Sequence, residues 1–138
     1  MRKVLVVEDN EAFAAVMKKV LSQYDGIEVE VIGDGGEAIE RIEKATTEGK
    51  ARIADLVLLD LDLPSASGFE VLESIRASEM HRSLPVIILT NSDSARIVEQ
   101  AYFLGANNFL LKTDRLADTL GRIYEYWFEL SRIPARRP

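Results

Sequence analysis

Five short apolar runs alternate along this chain with five longer stretches in which apolar residues recur every three or four positions. The apolar runs cover residues 4–7, 27–32, 56–59, 86–89 and 108–111, and the longer stretches cover 12–24, 37–45, 69–77, 95–104 and 116–130. The first, third and fourth runs are apolar without alternation, which is typical of strands that helices cover on both faces of a parallel sheet. The pattern therefore predicts an α/β domain with five parallel strands and helices on both faces.

The chain length of 138 residues suits one domain with a substantial core. The polar stretch 46–54 is predicted to be a loop within that domain and not a linker between two domains. We expect a single domain over residues 1–131 and a C-terminal extension over residues 132–138.

The charge balance argues against a direct contact with nucleic acid. Asp and Glu number 23 against 17 Lys and Arg, which gives a net charge of −6. Neutralising a phosphate backbone requires a basic face. We interpret Arg132, Arg136 and Arg137, near the end of the chain, as solvated charges.

Several other classes of protein are excluded or disfavoured by composition. The absence of cysteine excludes disulfides, thiolate zinc sites and a cysteine nucleophile. The single histidine, His81, lies in the polar stretch 78–83 and is predicted to be a surface residue. No apolar run approaches 18 residues and no signal peptide is recognisable, so we expect a cytoplasmic protein without membrane contact.

Reactive side chains directly follow four of the five predicted strands. They are Glu8 and Asp9 after the first strand, Asp60 and Asp62 after the third, Thr90 after the fourth and Lys112 after the fifth. Ligands of open α/β sheets bind beyond the carboxyl ends of the strands, so these side chains are predicted to form one site. Carboxylates held close together raise each other's pKa unless a cation separates them, and Mg²⁺ prefers oxygen ligands.

This set of residues suits phosphoryl transfer. A carboxylate can attack phosphorus to form an acyl phosphate, and the transfer then requires mainly positioning and neutralisation of charge. The central carboxylate, Asp60, is the predicted nucleophile. Lys112 and Thr90 are the predicted partners of the phosphoryl oxygens.

The chain resembles the receiver domain of two-component response regulators over essentially its whole length. The similarity is carried by VLVVEDN at 4–10, LVLLDLDLPSASGFEVL at 56–72, PVIILTNS at 85–92 and GANNFLLK at 105–112. The resemblance implies a flavodoxin-like, doubly wound sheet with the strand order 2-1-3-4-5. It also implies a stand-alone phosphoacceptor signalling protein that is not an enzyme.

The same resemblance assigns roles to individual residues. It implies Asp60 as the phosphoacceptor, Mg²⁺ ligands from Glu8, Asp9, Asp60 and the backbone carbonyl of Asp62, phosphoryl contacts from Thr90 and Lys112, and a conformational switch made of Thr90 and Phe109. The chain departs from the family pattern at Thr113, where proline is usual, and at Asn91 and Asp62.

The C-terminal segment, IYEYWFELSRIP at 123–134, resembles the stand-alone receivers that serve phytochrome-type histidine kinases. The implied partner is a sensor histidine kinase, and a bacteriophytochrome is the specific hypothesis. A helical stripe is predicted to face the sheet, made of Leu116, Leu120, Ile123, Trp127 and Leu130. A second apolar face would then remain for a homodimer, with contacts predicted at Tyr124, Trp127, Phe128, Ile133 and Pro134.

Two alternatives come from other functional classes. The sequence Asp60-Leu61-Asp62 is similar to the start of haloacid-dehalogenase-type phosphatases, in which the second aspartate is a general acid. Against this, the motif follows the third strand and no insertion is available to cover a substrate. A flavodoxin-like FMN or nucleotide module would require a phosphate-binding loop after the first strand, but that loop is acidic here.

Overall fold

Five parallel strands form one sheet in the order β2-β1-β3-β4-β5 in the computed structural model, which describes residues 1–135. The strands are β1 (Arg2–Val7), β2 (Ile27–Ile32), β3 (Leu56–Leu59), β4 (Val86–Thr90) and β5 (Asn108–Leu111). The helices are α1 (Glu11–Leu21), α2 (Gly35–Glu48), α3 (Gly68–Ala77), α4 (Ala95–Phe103) and α5 (Leu116–Tyr124), and α5 continues into a π-helical segment, Glu125–Leu130. The predicted fold class and strand order are confirmed.

Two hydrophobic clusters lie on opposite faces of the sheet because successive side chains of a strand point to opposite sides. Val4 and Val6 of β1 pack with residues of α1 and α5. Leu5 and Val7 pack on the other face, with residues of α2, α3 and α4. This two-sided burial explains why β1, β3 and β4 are apolar without alternation.

Helix α2 is longer than predicted and removes part of the predicted loop 46–54. The side chain of Asp34 accepts a hydrogen bond from the backbone of Glu37 (2.8 Å) and caps the start of the helix at the glycine pair. The helix continues to Glu48 and is capped by Gly49, which adopts the left-handed conformation (φ 65°) and donates to the carbonyl of Ala45. The loop therefore begins at Gly49 and not at Thr46.

The prediction that α5 remains α-helical to Leu130 is wrong. In a π-turn the backbone hydrogen bonds join residues five positions apart. Phe128, and not Trp127 or Leu130, therefore lies on the same helix face as the buried Ile123. Phe128 is only 8% exposed, whereas Leu130 is 70% exposed. The ring of Tyr124 stacks on that of Tyr24 at 3.9 Å between centroids. Of the predicted dimer contacts, Phe128 is thus a core residue of its own chain.

Two arginines hold the C-terminal segment to the rest of the chain. Arg2 donates to the carbonyl of Phe128 (2.8 Å), and Arg52 donates to the carbonyl of Pro134 (2.9 Å). Ile133 is half-buried and packs on the cluster beneath α1 and α5.

The predicted solvated arginines Arg136 and Arg137 lie outside the described residues. Within residues 1–135, no helix has the length and apolar character needed to cross a membrane.

The prediction of a surface histidine is also wrong, because His81 is fully buried. Its Nε2 accepts a hydrogen bond from the backbone N–H of Ile53 (3.1 Å), so the ring proton is on Nδ1, which donates to Ser78 (2.8 Å). The hydroxyl of Ser78 in turn contacts that of Thr46 (2.7 Å), and Thr46 donates to the carbonyl of Ile42. The polar neighbours that suggested exposure form a hydrogen-bonded chain that makes burial possible.

We expect His81 to make the protein sensitive to acid. Burial lowers the pKa of His81 below its ordinary value of 6.5, and the charge of Arg52 lowers it further. The unfolded chain therefore binds a proton near pH 6.5 while the folded protein does not, so the free energy of unfolding decreases as the pH falls from 6.5 toward the folded-state pKa. The limiting slope is about 1.4 kcal/mol per pH unit.

Denaturant titrations between pH 5 and pH 8 test this expectation when wild type is compared with His81→Gln. The carboxylates are common to both proteins, so the difference between the two curves isolates the histidine. The variant is expected to be less stable at pH 8 and to lose less stability toward pH 5. Parallel curves would show that His81 does not titrate differently in the two states.

Candidate functional site

The parallel sheet brings the predicted site residues together at one edge. Asp60 follows β3, and its backbone N–H donates to the carbonyl of Val7 at the end of β1 (3.0 Å). Glu8 follows β1, and its N–H donates to the carbonyl of Ile32 at the end of β2 (3.0 Å). Lys112 follows β5, and its N–H donates to the carbonyl of Thr90 in β4 (2.8 Å). Ladder hydrogen bonds thus fix the backbone of each residue.

Asp60 is buried, with one carboxylate oxygen bound by the loop that follows and the other facing a cation. Oδ1 accepts from the backbone of Leu61 (2.8 Å) and, at a longer distance, from that of Asp62 (3.4 Å). Oδ2 lies 3.0 Å from Nζ of Lys112. These contacts hold the carboxylate in one orientation.

Lys112 neutralises two acids at once. Its side chain is 3% exposed and forms ion pairs with Glu8 and Asp60. Burial lowers the pKa of Lys112, but the hydrogen bonds to Glu8 and Asp60 outweigh this effect and raise the pKa above its ordinary value. The lysine is therefore charged at neutral pH. The peptide bond from Lys112 to Thr113 is trans.

The two consecutive acids after β1 have different environments. Glu8 is buried, and one of its oxygens accepts from the backbone of Asn10 (3.1 Å). Burial raises the pKa of Glu8 above its ordinary value, although the hydrogen bond from Lys112 opposes this effect. Asp9 is exposed to solvent. One carboxylate thus lies within the protein, and the other faces outward.

The loop after β3 approaches the site closely. Gly68 donates to the carbonyl of Leu61 (2.9 Å), and a Cβ at position 68 would lie 2.2 Å from the carbonyl oxygen of Asp60. Only glycine allows this approach. The side chain of Asp62 is exposed. Ser65, at a positive φ of 70°, donates to Asp34 (2.7 Å) and ties the loop to the start of α2.

Thr90 and Phe109 lie on the β4 and β5 side of the site. Thr90 is fully buried, and its hydroxyl has no hydrogen-bond partner among residues 1–135. Phe109 is half-buried against the cluster of α2, α3 and α4, and its backbone N–H donates to the hydroxyl of Tyr102 (3.1 Å). Tyr102 was not predicted as a site residue. Its contact with Phe109 joins helix α4 to strand β5, and no sequence pattern connects these two positions.

The acidic residues fit a divalent cation. One carboxylate oxygen from each of Glu8, Asp9 and Asp60 lies within 4.8 Å of the other two. The group holds three carboxylates but one ammonium group, that of Lys112, which pairs with Glu8 and Asp60, so the pocket carries excess negative charge. Oxygen ligands of this kind are those that Mg²⁺ prefers.

Comparison with known proteins identifies the family. The family sequence model of the response regulator receiver domain matches residues 4–123 of this chain. The chain is 35% identical over 136 residues to the probable methanogenesis regulatory protein FilR2 of Methanothrix harundinacea, covering 95% of this chain and 86% of that protein. It is 31% identical over 137 residues to the response regulator Rcp1 of Synechocystis, covering 96% and 92%. Other curated relatives are longer, and the chain spans 24% of the length of the LuxO regulatory proteins of Vibrio and 49% of that of the sensory transduction protein RegX3.

Solved structures agree with this result. The phosphorylated cyanobacterial phytochrome response regulator RcpA superposes with a TM-score of 0.89 at 29% identity, covering 97% of this chain and 99% of that one. The Mn²⁺-bound form of Rcp1 gives 0.88 at 30% identity, covering 98% and 100%.

The chain therefore belongs to the response regulator receiver family. Receivers are phosphoacceptor signalling proteins of two-component systems and not classical enzymes. They partner with sensor histidine kinases and bind Mg²⁺ or Mn²⁺ at an acidic pocket. This membership decides against the phosphatase alternative.

Proposed function

We propose that Asp60 is the residue that accepts the phosphoryl group. The observation that carries this proposal is the buried contact of Asp60 with Lys112, with the opposite carboxylate oxygen bound by loop amides. Asp60 also belongs to the acidic group that includes Glu8 and Asp9, and Lys112 bridges Asp60 and Glu8. Glu8 has a similar pair of contacts, with Asn10 and Lys112, but burial raises its pKa, which favours the protonated form that is not a nucleophile.

In the proposed reaction, Oδ2 of Asp60 attacks the phosphorus of a kinase phosphohistidine. An O–P bond forms as the donor's P–N bond breaks, and the electron pair of that bond leaves with the imidazole nitrogen. Lys112 is already charged and adjacent to Oδ2, so it can neutralise a phosphoryl oxygen without a proton transfer. Thr90 supplies a buried hydroxyl that is free to donate to another phosphoryl oxygen.

We propose that Mg²⁺ binds to the carboxylates of Glu8, Asp9 and Asp60 and to the backbone carbonyl of Asp62. The clustering of the three carboxylates supports this assignment. When bound, the ion would neutralise charge on the phosphoryl oxygens. Lys112 and Glu8 are in contact in the structure described here, so we expect the ion and the lysine to compete for Glu8.

Thr90 and Phe109 are proposed to pass the change at Asp60 to the protein surface. A buried hydroxyl without a hydrogen-bond partner, such as that of Thr90, destabilises the protein. The phosphoryl oxygens would provide an acceptor for it. A movement of Thr90 toward Asp60 would leave space that the half-buried Phe109 can fill. The surface formed by α4, β5 and α5 would then differ between the two states.

The finer identity of the partner is also a proposal. We propose a phytochrome-type histidine kinase, because the relatives that superpose over almost the whole chain include the phytochrome response regulator RcpA. A response regulator in red light signalling of R. palustris superposes as well, with a TM-score of 0.79 at 28% identity. Such a kinase takes its phosphoryl group from ATP, which is a cytoplasmic substrate, so we propose that the reaction occurs in the cytoplasm.

Phosphorylation with acetyl phosphate and Mg²⁺ tests the role of Asp60. Wild type is expected to incorporate phosphate, and Asp60→Asn is expected to lose at least 90% of the incorporation because the amide is a far weaker nucleophile (~10-fold or more). Asp25→Asn, a change at an exposed aspartate at the opposite edge, serves as the control. Normal incorporation by Asp60→Asn would contradict the assignment.

We further propose a homodimer through the C-terminal segment. Tyr126 and Leu130 remain exposed at 54% and 70%, and the half-buried Trp127 lies between them. Ile133 and the exposed Pro134 follow in the chain. Adjacent large apolar side chains left on a surface indicate an association site, and a two-fold axis places the same patch on both protomers.

Sedimentation at micromolar concentration tests the dimer. Leu130→Glu is expected to shift the protein to the monomer. The new carboxylate would be buried without a partner in the dimer interface, whereas water solvates it in the monomer. Phe103→Glu, which alters an exposed apolar residue on α4, is the control and is expected to remain dimeric. A monomeric wild type, both phosphorylated and unphosphorylated, would contradict the proposal.

A further inference from the structure

An aromatic ring that the sequence analysis did not select lies against the site lysine. The centroid of the Phe13 ring is 4.6 Å from Nζ of Lys112. Phe13 belongs to the first turn of α1 and is half-buried, and it packs against the cluster beneath α1 and α5. The core therefore anchors the ring, while its face is directed at the ammonium group.

The helix cap fixes the ring relative to the acids. The side chain of Asn10 accepts from the backbone N–H of Phe13 (3.0 Å), and the backbone N–H of Asn10 donates to Glu8 (3.1 Å). One capping residue thus joins the buried acid to the helix turn that carries the ring. Lys112 contacts both Glu8 and Phe13, and Asn10, the cap of α1, links Glu8 to Phe13.

The lysine has little contact with water, which makes the ring contact strong. An ammonium group has three N–H donors. Glu8 and Asp60 accept from the ammonium of Lys112, and the ring lies beside the same nitrogen. A cation over an aromatic face is attracted most strongly when it is desolvated, and the side chain of Lys112 is only 3% exposed.

We propose that Phe13 is a positioning residue for phosphoryl transfer: its ring holds the Lys112 ammonium beside Asp60 and excludes water from it. The inference rests on the proposed roles of Asp60 and Lys112 and extends them to a residue of α1. The contact that links Phe13 to the site is the one with Lys112, so we expect its effect to be transmitted through the lysine. Without the ring, the ammonium is free to be hydrated, and its charge acts on the phosphoryl oxygens through a more polar medium.

The test separates the electrostatics of the ring from its volume. Phenylalanine at position 13 is replaced by analogues with one, two and three fluorine atoms, which weaken the negative face with little change of shape. The rate of labelling by acetyl phosphate with Mg²⁺ is expected to fall stepwise, to roughly one third to one tenth of the wild-type rate, at a nearly unchanged melting temperature. A flat series would overturn the proposal.

Two substitutions control for packing. Phe13→Leu removes the ring and is expected to be at least as slow as the trifluorinated protein (about 3- to 10-fold). Tyr24→Leu removes an aromatic residue that packs on the same cluster just beyond the other end of α1, and it is expected to keep the wild-type rate. An equal loss of rate in both variants would show that Phe13 acts only through the core.

Nuclear magnetic resonance provides a measurement that does not depend on activity. The ring current of Phe13 is expected to shift the ε-methylene protons of Lys112 upfield, and this shift is expected to disappear in Phe13→Leu but to persist in Tyr24→Leu. An unshifted wild-type signal would overturn the contact itself. If wild type is not labelled at Asp60 while the shift is present, the proposed function fails, and with it the catalytic part of this inference.

Discussion

The ion pairs of Lys112 with Glu8 and Asp60 are the interaction on which the site depends. Two buried carboxylates would repel each other without a cation between them, and the lysine supplies that cation from the end of β5. Removing one partner of such a group leaves an uncompensated buried charge, at a cost of about 3–5 kcal/mol. The arrangement holds the proposed nucleophile Asp60, the proposed metal ligand Glu8 and the proposed phosphoryl-binding cation Lys112 in one place before any ligand arrives.

The two edges of the sheet have separate tasks. The carboxyl edge carries the charged groups and the loops that approach them, including the loop tied by Ser65 to Asp34. The opposite edge is closed by the hydrogen-bonded chain around His81 and by the arginine contacts of the C-terminal segment. The charged groups of the site and the polar contacts of His81 and Arg52 thus lie at opposite ends of the strands.

Much of the fold and the composition of the site could be predicted from the sequence because both follow from local patterns. The apolar runs define the strands, and parallel strands place the residues after them at one edge, which is how Asp60 and Lys112 could be selected 52 positions apart. Conversely, the burial of His81 depends on Thr46 of α2, Ser78 just after α3 and Ile53 in the loop before β3, which no local pattern connects. The π-turn that buries Phe128 changes the helical period within one turn, so a regular stripe predicted the wrong residue. The ring of Phe13 was missed because its spacing in α1 also suits an ordinary core position.

Reductive trapping of the acyl phosphate tests the central claim most directly. The protein is phosphorylated with acetyl phosphate and Mg²⁺, reduced with borohydride, digested and examined by mass spectrometry. An aspartyl phosphate is converted to homoserine by this treatment, so the account predicts homoserine at position 60 and unchanged aspartate at positions 9 and 62. Homoserine at position 9 or 62, or its absence from a protein that has incorporated phosphate, would contradict the account.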